Sequence, residues 1–516
     1  MDNIFDLFSE SCRRYPDASC LSVEGKVYTY SEISQKVDKI SELLEEISGE
    51  LVAIYADKSL ICYISILATL KSGFGYVPIN PKFPAFKNKA ILEVAKASAI
   101  IVSQSSYQFI EDFLPSYHLN IICPESGKIS DEIAREEHYM PVFHAKNVAG
   151  YGSEKGNVEV KIAYLLFTSG STGIPKGVPV THGNVLAYIL NVLKRFEFNC
   201  SDRFSQIFDL TFDLSVHDMF VCFAVGGTLC IPPGKYFSPV EYIKSRQITV
   251  WFSVPSYASV IVNSKVFNSN MFPSIRYSLF CGEPLTTIVA EKWQAASPKS
   301  WLINLYGPTE TTIAIAGYNV MKGKSIKSLY GFVSIGKLFD DQSYLIMADK
   351  RIAKVNERGE LYLAGSQVVH GYWKDELLTN KKFIQLNNSI YFLTGDVVMQ
   401  DEDGDIFYIE RKDFQIKVRG YRIELEEINH LIKTTFGLQD VITVPIGDNG
   451  VYDKVVTFIL HLSNLEEVKI LGVCKERLPH YMVPEKVVFL DEFPLNNNGK
   501  IDRFELLKYA NEKLKI

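Results

Sequence analysis

The sequence predicts an α/β protein, and three observations lead there. Short β-rich runs alternate with helix-like apolar runs along the chain. With 516 residues, the chain has room for about three domain-sized units with large cores. A composition of 47% hydrophobic and 22% charged residues is that of an ordinary soluble globular protein.

Several function classes fall away on composition. The net charge is −6 with no basic block, which argues against nucleic acid as the main partner. The amino end, M-D-N-I-F-D-L-F, is acidic where a secretion signal is basic. The most apolar run, Leu60 to Leu70, stops at Lys71 after about half the ~20 residues of a membrane span. Nine cysteines contain no C-x-x-C pair, so neither a zinc site nor a disulfide framework is expected. A cytoplasmic enzyme without membrane insertion is the expectation.

Taken in order, Val27 to Ser34 reads as a strand entering a helix, with Ser31 as its N-cap. Leu51–Tyr55, Leu60–Lys71 and the run G-F-G-Y-V-P-I-N-P from Gly73 to Pro81 read as strand, helix, strand, a βαβ unit. From Glu111 to Glu159 the pattern weakens into charged, irregular sequence, and a surface connection is expected. An apolar strand from Val160 to Phe167 then runs into T-S-G-S-T-G-I-P-K-G, Thr168 to Gly177. Glycines let backbone N–H groups approach an anion, and small hydroxyls add donors without bulk. Lys176 brings a cation to the loop and Pro175 stiffens it. The spacing is not that of the P-loop ATPases, which need four residues between glycine and Gly-Lys-Ser/Thr. Taken alone, such a Ser/Gly loop is as readily a plain turn.

Beyond a helical run from His182 to Phe196 lies D-L-T-F-D-L-S-V-H-D-M-F, Asp209 to Phe220. Asp213 is a carboxylate in an apolar stretch, and its local reading is a helix N-cap. Two strand-then-turn units follow, Ile248–Tyr257 and Tyr277–Leu285, and then N-L-Y-G-P-T-E-T-T from Asn304 to Thr312. Gly359–Gly365 and Gly371–Trp373 form another β-rich segment, and Tyr391–Asp396 ends in a carboxylate. In Tyr408–Arg422 charged and apolar residues alternate as on an exposed strand, before an acidic helix start at Glu424–Glu427. By composition this is a solvated linker. The last hundred residues read as a helix at Glu424–Phe436, strands near Val441–Pro445 and Lys454–Leu460, and a helix near Leu465–Leu478. A proline-bounded turn at Leu478–Pro484 follows. P-L-N-N-N-G-K-I-D-R, Pro494 to Arg503, is an Asn/Gly turn presenting Lys500, ordinarily just a solvated lysine.

T-S-G-S-T-G-I-P-K-G, Y-G-P-T-E-T, Y-F-L-T-G-D and N-G-K-I-D, in this order across nearly the whole chain, resemble the signatures of the adenylate-forming superfamily. That group holds the amino acid adenylation domains of nonribosomal peptide synthesis, acyl-CoA synthetases and firefly luciferase. F-D-L-S-V and F-C-G-E are similar to D-alanine–carrier protein ligases. The resemblance implies a large multi-sheet α/β domain over residues 1–412 and a small mobile α+β domain over 413–516, hinged at Asp413. It implies ATP binding by Thr168, Ser169, Gly170, Ser171 and Gly173, with Thr172 and Lys176 as catalytic loop residues. Asn304, Tyr306, Gly307, Thr309, Asp396, Tyr408 and Arg411 complete the implied nucleotide site. Glu310 offers a hard oxygen ligand for Mg²⁺, and Lys500 is the implied catalytic lysine.

In the amino-acid-activating branch, the aspartate matching Asp213 binds the substrate α-ammonium, a cation that needs a paired carboxylate in a low-dielectric pocket. The implied pocket adds Leu214, His217, Ser253, Leu279, Cys281, Leu305, Ile313 and Ala314. The lack of a second charge argues against acidic or basic side chains, and the set resembles that of enzymes for small residues such as cysteine, serine, glycine or alanine. Three positions depart from the family pattern: Lys87 and His370 stand where arginine is usual, and Glu410 stands where glycine precedes Arg411. The implied function is ATP-dependent formation of an aminoacyl-AMP, then transfer to the phosphopantetheine thiol of a separate carrier protein, since no carrier sequence follows Lys500. The alternatives are a carboxylate–CoA ligase, against which Asp213 counts; a luciferase-like oxidase, for which nothing marks oxygen chemistry; and a non-catalytic nucleotide-binding relative, against which Lys500, Glu310 and Asp396 count.

Overall fold

A computed structural model of the chain describes residues 2–124, 161–168, 175–234, 237–320, 325–386, 388–412, 415–448, 451–460, 465–494 and 501–514. The helix Leu60–Lys71 is buried from Ile61 to Leu70 and capped by the Ser59 hydroxyl, which accepts from the Cys62 N–H at 3.3 Å. A helix apolar on every side has to lie inside the core. It links the fully buried strands Leu51–Tyr55 and Gly75–Ile79, which pair in parallel as the βαβ reading expects. Their six-stranded sheet runs Asn120–Ile122, Ala99–Ile101, Leu51–Tyr55, Gly75–Ile79, Ile162–Thr168, Lys176–Thr181. All its pairs are parallel except the last. The stretch from Glu111 is therefore more than a connection. Asn120–Ile122 is a strand in register with Ala99–Ile101, too short to leave a periodic trace; residues 125–160 lie outside the described residues.

A nine-stranded sheet lies beside it. Its parallel centre is built from Ser19–Val23, Thr228–Cys230, Arg203–Ser205, Val250–Ser253, Tyr277–Phe280 and Trp301–Tyr306. On one of its faces Trp251 and Trp293 stack at 5.6 Å in a separate apolar cluster. An antiparallel sheet follows, centred on Arg358–Gly365 and Ser389–Gln400. The last sheet draws its strands from residues 415–490 alone: Gln415–Val418, Tyr421–Glu424, Val441–Asp448, Val451–Leu460 and Lys486–Leu490. Helices Leu425–Phe436, Glu467–Arg477 and Arg503–Lys513 pack on it. The strand Lys486–Leu490 and the final helix add to the elements expected from sequence.

Three local expectations change. The cap of the helix Tyr30–Leu44 is Thr29, not Ser31: its hydroxyl accepts from the Glu32 N–H while Glu32 bonds back to the Thr29 N–H, a reciprocal box. Asp213 stands at the cap position of Leu214–Val225, but it has helical φ/ψ and makes no capping hydrogen bond. The run Tyr408–Arg422 is no solvated linker: its first residues belong to the strand Ile406–Arg411, which pairs with Ser389–Gln400. Gln415–Val418 and Tyr421–Glu424 form a hairpin closed by Arg419 and Gly420 at φ +50° and +84°, the two-residue loop that suits strand twist. A Cβ on Gly420 would lie 2.5 Å from Val254 Cγ1, so only glycine fits this tip.

Candidate active site

Parallel strands deliver their C-terminal ends to one side of a sheet, where ligand clefts form. Thr168, Cys281 and Asn304–Tyr306 stand at or just beyond such ends and line one cavity of about 500 Å³. Asp213, Leu214, Leu305, Gly307, Thr309, Asp396, Tyr408 and Arg411 line it too. From the last sheet come Gln415, Lys417, Gly420 and Arg422.

Tyr306 donates its hydroxyl to Asp396 Oδ2 at 2.5 Å, and Arg411 Nη1 pairs with Asp396 Oδ1 at 2.8 Å. Asp396 and Arg411 are direct cross-strand partners, so their side chains share a face. Asn304 is turned to structure: its amide donates to the Ser334 and Val333 carbonyls. Asp213, on the lining of the same cavity, is 7% exposed. Burial pushes its carboxyl up to about 6, against relief from Thr309 and the Lys417 charge. Burial pushes the Cys281 thiol, which lines the cavity, up to about 12, and the His217 imidazole behind it down to about 3, so both are uncharged.

The five remaining expected pocket residues do not line the cavity. His217, Ser253, Leu279 and Ala314 have no exposed surface and Ile313 only 1%. Ser253 Oγ accepts from the Trp251 indole N–H at 3.0 Å. His217 Nδ1 lies 2.7 Å from the Tyr188 hydroxyl.

Glu310 is fully buried. Arg422 Nη1 reaches both its oxygens, at 2.8 and 3.1 Å, and Tyr372 donates to it at 2.8 Å. Burial pushes this carboxyl up, but Arg422 and Tyr372 outweigh it and hold Glu310 below the usual range. Lys176 pairs with Glu424 Oε1 at 3.2 Å. The same hairpin gives its Gly420 N–H to Glu283 and the Tyr421 hydroxyl to Asp209. Lys87 forms a 2.6 Å ion pair with Glu427, with side chains only 9% and 4% exposed. The expected residues Ser169, Gly170, Ser171, Thr172, Gly173, Asp413 and Lys500 lie outside the described residues. An acidic trio, Asp401, Asp403 and Asp405, clusters elsewhere, but Lys327 Nζ already bonds to all three.

Sequence reading missed Arg422, Glu424, Glu283 and Tyr188 as partners of this site. The R-G-Y-R string around Gly420 was the available signal for the first two, since two glycine-hinged cations are unusual for a plain surface strand. Nothing local marks Tyr188.

Residues 8–373 match the family described as AMP-binding enzyme. The chain is 30% identical over 508 residues to the D-alanine–D-alanyl carrier protein ligase of Bacillus cytotoxicus, covering 95% of this chain and 96% of that one. The Vibrio cholerae adenylation domain AlmE, solved with glycyl-adenosine-5′-phosphate, superposes with a TM-score of 0.83 at 26% identity over 99% of this chain and 98% of that one. The fused adenylation–PCP di-domain NpsA-ThdA of Klebsiella oxytoca gives a TM-score of 0.78 at 23% identity, covering 95% and 94%, a likeness of fold.

Proposed function

The chain belongs to the AMP-binding enzyme family, and from that membership we propose that it activates a small neutral amino acid with ATP and passes the aminoacyl group to the phosphopantetheine thiol of a carrier protein. One observation carries the reading. One cavity is lined both by the desolvated Asp213 carboxylate and by the Tyr306–Asp396–Arg411 cluster. An amino acid whose ammonium sits on Asp213 then faces a nucleotide whose ribose sits on Asp396.

In the first step a substrate carboxylate oxygen bonds to the α-phosphorus, and the bridging oxygen leaves with pyrophosphate. The substrate is itself the nucleophile, so the protein's contribution is positioning and charge stabilisation. Asp213 orients the amino group. Asp396 and Arg411 fix the ribose, with Tyr306 beside the base. The loop Thr168–Lys176 and Lys500 bring donors and cations to the phosphates. In the second step the thiol sulfur bonds to the acyl carbon and AMP leaves.

Glu310 fits a divalent cation. It is a hard oxygen donor, ionised below the usual range, in a place where Arg422 already serves as a stand-in cation. Bound there, Mg²⁺ neutralises phosphate charge. In this reading residues 1–412 form the large domain and 413–516 the small one, with Asp413 as pivot, and the protein works in the cytoplasm. The hairpin at Gly420 marks the arrangement that serves the second step, because Arg422 and Glu424 occupy the groups that ATP requires.

The test is amino-acid-dependent exchange of labelled pyrophosphate into ATP. The panel holds glycine, both alanines, the other proteinogenic amino acids, and fatty and aryl acids. Transfer to a phosphopantetheinylated carrier is then scored for the best substrate. A strong signal from one small amino acid is expected; signal only from acids lacking an amino group would refute the reading and favour a carboxylate–CoA ligase.

A further inference from the structure

Why the cavity ends where it does is a question about two residues that never touch it. His217 follows Asp213 by four residues, and its helix carries it one turn behind the carboxylate on the same face. A longer pocket would run through that volume. The imidazole fills it instead, flanked by two rings. Phe252 packs edge-on at 4.8 Å, and Tyr188, from the helix His182–Arg195, packs edge-on at 5.9 Å. Tyr188 also holds the ring by its hydroxyl, 2.7 Å from Nδ1. None of the three rings has exposed surface.

Resting on the function proposed above, we propose that Tyr188 is a positioning residue that sets the depth of the amino-acid pocket. Its hydroxyl pins the His217 imidazole as a stop behind Asp213, and this confines the substrate side chain to hydrogen or a methyl group.

Three observations converge on this. Of the expected pocket residues, Asp213, Leu214, Cys281 and Leu305 line the cavity, while His217, Ser253, Leu279, Ile313 and Ala314 are sealed from it. The Tyr188 hydroxyl can donate to Nδ1 or accept from it, so the 2.7 Å hydrogen bond fixes the ring angle in either neutral tautomer. Nε2, the free end, has no hydrogen-bond partner among the described residues. Only the Tyr188 hydroxyl, therefore, ties the ring down by a directional bond. Without it, the ring keeps its packing against Phe252 but loses the bond that fixes its angle.

The experiment compares wild type with Tyr188→Phe, His217→Ala and the double variant. Pyrophosphate exchange is measured with glycine, alanine, 2-aminobutyrate, valine and serine, using both enantiomers where they exist. Nitrogen NMR of labelled protein reads the His217 tautomer independently of turnover. Wild type is expected to discriminate against each added methylene by about tenfold or more. In Tyr188→Phe the ratio between alanine and 2-aminobutyrate should fall about tenfold, through KM for the larger substrate, with a change in the Nδ1 signal. His217→Ala should lower the ratio at least as far, and Tyr188→Phe should add nothing in that background.

An unchanged ratio in Tyr188→Phe overturns the inference, as does an equal loss for every substrate, which a merely structural role would give. A wild-type preference for serine over alanine also overturns it, since Nε2 would then be a substrate contact. Silence of the wild type with every amino acid refutes the functional reading beneath the inference, and the inference with it. Exchange with an unchanged ratio refutes the inference alone.

Discussion

Replacing Asp213 by asparagine should stabilise the free protein while disabling it. The carboxyl is pushed from an ordinary value of 3.8 to about 6, chiefly because burial strips its water. A displacement of that size corresponds to about 3 kcal/mol of unfavourable free energy for the ionised form in the folded state. The sign follows from proton binding. Between pH 3.8 and about 6 the folded chain holds this proton and the unfolded chain does not, so stability falls as pH rises through the window. The penalty is complete above it. Asparagine has nearly the same shape, can still accept from Thr309, and carries no charge to desolvate. Asp213→Asn should therefore unfold in urea at pH 7.5 with ~1–3 kcal/mol more stability than wild type, and the gap should close below pH 4. The same variant should lose amino-acid-dependent pyrophosphate exchange by about a hundredfold or more, since the substrate ammonium then goes unpaired. Wild-type KM for the amino acid should rise about tenfold per pH unit below 6. Less stability for the variant at pH 7.5, or a gap that does not change with pH, would refute the reasoning.

Other consequences concern the hairpin and the last sheet. Arg422→Ala removes the cation from Glu310 and should lower the Mg²⁺ concentration needed for half-maximal exchange by ~3- to 10-fold, because docking no longer competes for that carboxylate; a metal titration checks it. Lys87→Met leaves Glu427 buried without its cation, which costs about 3 kcal/mol. Hydrogen exchange in Leu425–Phe436 should quicken, and a second change, Glu427→Leu, should slow it again. Lys500→Ala should reduce pyrophosphate exchange by about a hundredfold or more, and should reduce transfer from preformed aminoacyl-AMP to the carrier far less, as judged by single-turnover labelling of the carrier.

The sequence disclosed most where one local rule decided the outcome. Leu60–Lys71 is legible as a helix because a continuous apolar run stops at Lys71; its Ser59 cap is a finding of the structure. The flanking strands followed from their β-rich runs. Thr29 and Ser31 are both good capping residues by type, and the return bond from Glu32 to the Thr29 N–H decides for Thr29. Asp213 shows a limit of local reading: cap position and residue type both suggested an N-cap, but its own helical φ/ψ gives it no capping bond. Long-range pairs were out of reach. Arg422 and Glu310 are separated by 112 positions, and Lys87 and Glu427 by 340; no periodicity encodes such partners. The depth of the pocket was hidden for the same reason, because it depends on a helix lying some 29 positions before His217.

Arg422 on Glu310 and Glu424 on Lys176 are an acid and a base set two residues apart on one strand, each answering a group of opposite sign across the cleft. Under the proposed function the strand carries a mould of its rivals: a positive end where a metal would sit on Glu310 and a negative end where phosphate would meet Lys176. When one guest leaves and the other enters, each buried charge changes its companion without standing alone in low dielectric, where an unpaired ion costs several kcal/mol. The two occupancies then have similar electrostatic energies, and a modest difference in ligand affinity is enough to tip between them. In the proposed cycle, a swing of the last sheet needs no large driving force; ligand arrival and departure can time it.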